Sequence, residues 1–146
     1  SCLALGIRSN YQYLYHYYTQ YLPGKESYGS VLEAGLPDGV YQTMLALDEI
    51  GQYINARTEK HETIYYWSNF MELYYLANRQ SSMDIIWPLY VEALGSRARV
   101  FEAKYILIGD MPLGYQDFPE WLEEGLDANY KLEATLYDQQ IYRRIH

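Results

Sequence analysis

Hydrophobic residues recur at intervals of three and four along most of the chain. This spacing places them on one face of an amphipathic helix. The first such segment follows Ser9 and ends at Pro23, and the second follows Asp38 and reaches Ile54. Ser and Asp are typical of the position before a helix, because their side chains accept hydrogen bonds from the free N–H groups of the first turn. The polar residues 55–62 either end the second helix or continue it.

The same period continues toward the C-terminus. Residues 64–77 have two apolar stripes, which predicts a helix with neighbours on more than one side. Another helix is predicted over residues 88–94, and a further one over 100–108, where Gly109 ends it. The last helix is predicted over residues 117–146, because acidic residues open this segment and basic residues close it, in agreement with the helix dipole.

Signals for β-strands are weak, because valine is rare and no segment alternates clearly between apolar and polar residues. We therefore predict an all-α fold, a single domain over residues 1–146 with about five to six helices. The helices form either a closed bundle or stacked helical hairpins, since Trp87-Pro88 and Phe118-Pro119 indicate a weak internal repeat. The residues 23–39, rich in glycine and proline, are predicted to be a loose connection.

The chain is acidic, with 19 Asp and Glu against 11 Lys and Arg and a formal net charge of −8. This charge repels phosphate backbones and anionic lipid headgroups, so we predict no nucleic-acid partner. The acidity either keeps the chain in solution or attracts a basic partner. No apolar run is long enough for a membrane-spanning helix, so no membrane span is predicted.

Cys2 is the only cysteine, which excludes an intramolecular disulfide and a cysteine-based metal cluster. A reducing compartment is the simplest interpretation, and we predict a soluble intracellular protein. The sequence begins with Ser1, so cleavage of a targeting segment stays open. The predicted compartment is either the cytoplasm or an organelle.

No diagnostic catalytic or cofactor motif is present. The Glu-x-x-His spacing of ferritin-like metal sites does not occur, and Tyr65 stands where a zinc-protease helix beginning at His61-Glu62 needs its second histidine. Acidic pairs at helical spacing could supply acid–base chemistry, but exposed helix faces explain them better. These pairs are Glu59 with Glu62, Glu120 with Glu124, and Glu123 with Asp127. We predict no catalytic residue, no metal and no cofactor.

Tyrosine is the most unusual part of the composition, with 19 residues. Its ring is apolar and its hydroxyl is polar, so it suits surfaces that are buried only in part. Tyr13 and Tyr17 lie four residues apart and outside the apolar stripe of the first helix. Tyr65, Trp67 and Tyr75 belong to an aromatic cluster. We predict that these five residues contact a partner chain, with core packing and a small-molecule pocket as the alternatives.

The missing motifs and the surplus of tyrosine together predict a non-catalytic protein that binds other protein chains. An accessory or scaffold subunit of a larger assembly is the first hypothesis. A small acidic inhibitor of the immunity-protein type, which neutralises a basic partner, is the alternative. A helical bundle that binds a ligand or acts as an enzyme through the cluster around Trp67 is the third.

Overall fold

The computed structural model describes residues 38–83, 88, 97–110 and 115–146, with side chains from residue 43 onward. The chain divides into two compact units, residues 1–49 and 50–146. The helix predicted after Ser9, most of the connection 23–39 and most of the helix over 88–94 lie outside the described residues. The prediction that residues 1–146 form one domain stays a prediction.

The described part of the chain contains four helices and four strands. In chain order these elements are α1 (Asp38–Arg57), β1 (Ile64–Trp67), α2 (Glu72–Ala77), α3 (Arg97–Val100), β2 (Tyr105–Ile108), α4 (Glu120–Asn129), β3 (Tyr130–Leu136) and β4 (Gln139–Arg144). None of these helices is long and apolar enough to cross a membrane.

The prediction of an all-α fold is wrong. Neither a closed helical bundle nor stacked helical hairpins agree with the strands of the described residues. The strands form one mixed sheet in the order β1-β2-β4-β3. β1 and β2 are parallel, and β4 pairs antiparallel with β2 on one side and with β3 on the other. The fold class is therefore α/β.

The strands β1 and β2 have no alternating pattern because they are buried on both faces. All four residues of β1 are buried, and so are the first three of β2. A strand covered on both faces is a continuous apolar run, which its period does not distinguish from a buried helix. The helices predicted over 64–77 and 100–108 are therefore wrong at these strands, and helix remains only in α2 and at Val100 in α3.

The predicted C-terminal helix ends at Asn129, and the rest of that segment is the β3–β4 hairpin. Leu136 lies opposite Gln139, so the loop has only two residues. Tyr137 and Asp138 both have positive φ angles, of 50° and 62°. This is the backbone of a type I′ turn, which usually contains Asn-Gly or Asp-Gly. The turn lacks glycine, so the sequence contained no hairpin signal.

β3 contains a bulge at Glu133. Leu132 and Ala134 pair with successive residues of β4, which leaves Glu133 without an opposite residue. Its carboxylate accepts hydrogen bonds from Nε of Arg143 at 3.1 Å and from the hydroxyl of Tyr53 at 3.2 Å. The bulged residue therefore links β3 to both β4 and α1.

The helix predicted after Asp38 is confirmed as α1, which begins at Asp38 and ends at Arg57. The polar residues beyond Arg57 end this helix and do not continue it. Arg79, which is only 9% exposed, closes its C-terminal end. The guanidinium donates to the carbonyl oxygens of Asn55 at 3.2 Å and Thr58 at 2.6 Å, and to the Thr58 hydroxyl at 2.8 Å. It thus satisfies carbonyl groups that a helix end leaves without partners.

The helices α1 and α2 approach closely at Gly51. A Cβ atom at this position would lie 2.8 Å from the carbonyl carbon of Leu76 and 3.0 Å from the backbone nitrogen of Ala77. Asn55 strengthens the contact, because its side-chain amide donates to the Ala77 carbonyl at 2.9 Å. The two helices therefore leave no room for a side chain at this position, so glycine is needed here although it is a poor helix former.

We expect Gly51→Ala to destabilise the protein. Alanine favours a helix interior by about 1 kcal/mol over glycine, but the added methyl group meets backbone atoms that cannot rotate away. The net loss in the free energy of unfolding should be about 1–3 kcal/mol, measured by urea denaturation. The exposed neighbour Gln52→Ala is the control, with a change within about 0.5 kcal/mol. A stabilised Gly51→Ala variant would contradict this packing.

A buried cluster occupies one face of the sheet in the second unit. Trp67 and Ile106 contribute from the strands, Val100 from α3, and Leu122 and Leu126 from α4. Partly buried residues pack against this cluster: Phe101, Ile108, Tyr115, Phe118, Trp121 and Tyr142. α4 and the sheet are thus held together by apolar contacts, and the candidate site lies in the same region.

Candidate functional site

The helix α4 has one buried side and one exposed acidic side. Leu122 and Leu126 are buried against the sheet. Gly125 lies between them, where an added Cβ would overlap the ring of Phe101. The close approach of this ring fixes the depth at which α4 packs.

The acidic side of α4 consists of Glu120, Glu123, Glu124 and Asp127, which we call the acidic stripe. All four residues are exposed, and their spacing places them on one face of the helix. None of these carboxylates has an ion-pair partner within the described part of the chain. Like charges three and four residues apart repel, which costs a helix about 0.2–0.5 kcal/mol per pair. Among the residues that the structure describes, no basic side chain forms an ion pair with this negative surface.

The strand β4 faces the same side of the sheet with Gln140 and Tyr142. Tyr142 is paired with Ile106 and Gln140 with Ile108 on the neighbouring strand β2. Directly opposite residues lie on one face, and residues two apart in a strand share that face. A polar amide and a phenol therefore stand beside the buried cluster, next to α4.

A cavity of about 240 Å³ lies between α4 and this face of the sheet. We call it the α4 cavity. Its more buried lining is apolar or aromatic, and its exposed lining is acidic or polar. The lining residues are Ile108, Phe118, Leu126 and Tyr142, together with Glu123, Asp127 and Gln140. The cavity thus has an apolar interior and a negatively charged opening.

The pKa of Tyr142 depends on the negative charges around this cavity. Burial raises the pKa of its phenol, and the nearby carboxylates of Asp127 and Glu123 raise that pKa further, because they disfavour a second negative charge. The phenol therefore stays protonated at neutral pH, and its O–H donates to Oε1 of Gln140 at 3.3 Å. The negative field that disfavours a phenolate would stabilise a cation in the same place.

The chemistry of the α4 cavity is that of a binding site for positive charge. No lysine or arginine lines it. Two carboxylates and an amide oxygen offer acceptors, and the lining includes the aromatic side chains Phe118 and Tyr142, a residue class that attracts cations. Among the described residues, the α4 cavity included, no group of three or more His, Cys, Asp and Glu residues is arranged to hold a metal ion.

The residues predicted to contact a partner lie in different surroundings. Tyr65 and Trp67 are fully buried in β1 and belong to the core cluster, while Tyr75 in α2 is 62% exposed. Tyr13 and Tyr17 lie outside the described residues. The structure does not bring these five residues to one surface, and their contact with a partner stays a prediction. The burial of Tyr65 and Trp67 favours core packing, the alternative considered for them.

The hydroxyl of Tyr65 and the indole N–H of Trp67 are buried without a hydrogen-bond partner among the described residues. An unpaired buried polar group costs free energy, so these two positions contain some strain. Burial moves the pKa of Tyr65 well above its usual value, and the neighbouring Tyr74 and Tyr115 add to this shift. A phenolate at Tyr65 is therefore excluded at physiological pH.

Sequence reasoning missed the α4 cavity. It identified the pair Glu123 and Asp127 as an exposed helix face, which agrees with their exposure. A helix over residues 117–146 does not bring Gln140 and Tyr142 to one face, whereas the strand β4 does. The available signal was the acidic stripe itself, four carboxylates on one helix face without a basic residue in Glu120–Asn129.

Residues 47–144 match the family model described as "Putative competence-induced protein Ccs4 C-terminal domain". The chain belongs to this family. The match to the Ccs4 C-terminal domain family includes all four strands, α4 and every residue that lines the α4 cavity. No curated protein and no solved structure matches the chain significantly.

Proposed function

We propose that the chain is a non-catalytic protein-binding domain that engages a basic partner chain through α4. The observation that carries this proposal is the acidic stripe, four exposed carboxylates that have no ion-pair partner in the described part of the chain. A partner with a basic surface would neutralise these charges and relieve their mutual repulsion.

Two further observations support a basic partner. The chain has a net charge of −8, so its long-range field attracts positively charged proteins and accelerates their approach. The α4 cavity adjoins the stripe and adds an apolar contact area, which gives a partner more than charge to bind. The partner is either an assembly that this domain joins or a basic protein that it inhibits. A reducing intracellular compartment stays a prediction from the single cysteine.

The experiment compares the proteins that the tagged chain retains from source cells before and after induction of competence, the condition named in the family description. One variant removes the acidic stripe: E120Q/E123Q/E124Q/D127N. A matched control removes the same number of exposed negative charges elsewhere: E59Q/E72Q/E102Q/D138N. Both variants keep side-chain shape and have the same net charge, so only the position of the charge differs.

We expect a specific partner to be retained by the wild-type chain and by the control and to be lost from the stripe variant. With the purified partner, the association rate should fall by about tenfold or more as salt rises, because electrostatic steering is screened. Equal retention by the stripe variant and the control would contradict the proposal. An association rate that is independent of salt would also contradict it.

A further inference from the structure

The α4 cavity is half open to solvent and much larger than the voids between packed side chains. Its volume is about 240 Å³, many times the space of about 10–15 Å³ that one water molecule needs. A bare metal cation would leave most of this space unfilled. The cavity is half open, so a planar polar group can lie at its exposed acidic edge while an aliphatic stem lies along its apolar wall.

The charges of the cavity select a cation. Glu123 and Asp127 lie one helical turn apart and both carry exposed carboxylates. The Oε1 atom of Gln140 is a third acceptor, which already accepts the Tyr142 hydroxyl and has a second lone pair. Three acceptors around one opening match a group with several donors arranged in one plane.

The apolar part of the cavity distinguishes between cations. Phe118 and Tyr142 are half-buried aromatic rings, and Ile108 and Leu126 are aliphatic. A guanidinium group is weakly hydrated and stacks on aromatic faces, whereas an ammonium group is compact and strongly hydrated. The stem of an arginine side chain can also lie along aliphatic surface.

We propose that the α4 cavity binds the guanidinium group of an arginine side chain presented by a partner protein. The charge complementarity of the two carboxylates and the aromatic lining carry this proposal. It deepens the proposed function and rests on it, since the arginine belongs to the basic partner. The acidic stripe then attracts the partner electrostatically, and the cavity selects arginine over other side chains.

The experiment uses the full chain with isotope-labelled methyl groups and follows the signals of Ile108 and Leu126 by NMR. The probe is the capped pentapeptide Ala-Ala-Arg-Ala-Ala, titrated to millimolar concentration. Matched probes replace arginine by lysine or by uncharged citrulline, which keeps the shape of arginine. Ile54, which is buried in α1 and does not line the cavity, is the reference signal.

Two double variants separate the cavity from the rest of the stripe. E123Q/D127N changes the two acids that line the cavity, and E120Q/E124Q changes two acids of the same helix that do not line it. We expect the arginine peptide to shift Ile108 and Leu126 but not Ile54. Its affinity should fall by about tenfold or more in E123Q/D127N and by less than about threefold in E120Q/E124Q.

Several outcomes would overturn this proposal. Equal binding of the lysine or citrulline peptide would show that the cavity does not select guanidinium. Equal loss in both double variants would show diffuse attraction to the helix, and binding of free ethylguanidinium as tight as that of the peptide would indicate a small cation as the occupant. In each case the capture experiment with the stripe variant still decides separately whether α4 engages a basic partner.

Discussion

Replacing Arg79 by alanine should lower the free energy of unfolding by about 2–4 kcal/mol. The guanidinium is 9% exposed and donates to four oxygen atoms, including the Asn78 carbonyl at 2.8 Å. Alanine would leave the carbonyl and the hydroxyl of Thr58, both buried at the end of α1, without this donor, and each unsatisfied buried group costs about 1–3 kcal/mol. No carboxylate among the described residues hydrogen-bonds this arginine. Its contribution to stability therefore comes from capping the negative end of a helix. Urea denaturation followed by circular dichroism measures the loss.

Two controls define what Arg79 contributes. Arg79→Lys keeps the positive charge but lacks the planar fork of donors, so we expect an intermediate loss. Arg57 is exposed and lies over the ring of Tyr53 at 3.6 Å. Arg57→Ala should therefore cost only about 1 kcal/mol or less. A loss below about 1 kcal/mol for Arg79→Ala would show that water can replace the guanidinium.

Replacing Trp67 by alanine should cost about 3–5 kcal/mol. The side chain is fully buried and makes edge-to-face contacts with Tyr115 at 4.5 Å, Trp121 at 6.1 Å and Phe118 at 6.3 Å between ring centroids. Alanine would leave a large cavity between β1 and the residues that cover it. The same urea denaturation measures this loss.

Two further variants separate core packing from partner contact at the predicted positions. Trp67→Phe keeps one aromatic ring and removes the unpaired indole N–H, so it should cost less than Trp67→Ala, about 1–3 kcal/mol. Tyr75→Ala, at an exposed position, should change stability within about 0.5 kcal/mol. If Trp67→Ala left stability unchanged but abolished partner capture, Trp67 would be an interface residue and its assignment to the core would be wrong.

The sequence was sufficient for α1, which has one buried face, and insufficient for β1 and for the β3–β4 hairpin. α1 begins at the predicted Asp38 because its polar and apolar residues separate on opposite sides of a helix. The run Ile64–Trp67 has no such separation, because both faces of β1 are covered. The spacing of hydrophobic residues distinguishes a helix from a strand only where one face is polar. β1 could therefore not be derived from this spacing alone.

The candidate site was predictable in its helical half only. The exposure of Glu123 and Asp127 followed from their spacing, and the structure agrees with it. Gln140 and Tyr142 are two residues apart, which places them on nearly opposite sides of a helix but on the same face of a strand. The cavity became visible only with the strand β4 in place, since Gln140 and Tyr142 line it from that strand.

The bulge at Glu133 has a consequence for how copies of this chain meet. β3 is the last strand of the sheet, and no strand in the described part of the chain pairs with its outer side. Such an edge offers N–H and C=O groups to any extended chain and can start aggregation. The bulge breaks this row of groups, and the charged side chains of Lys131 and Glu133 are exposed along it. The strand therefore discourages growth of the sheet from one molecule into the next.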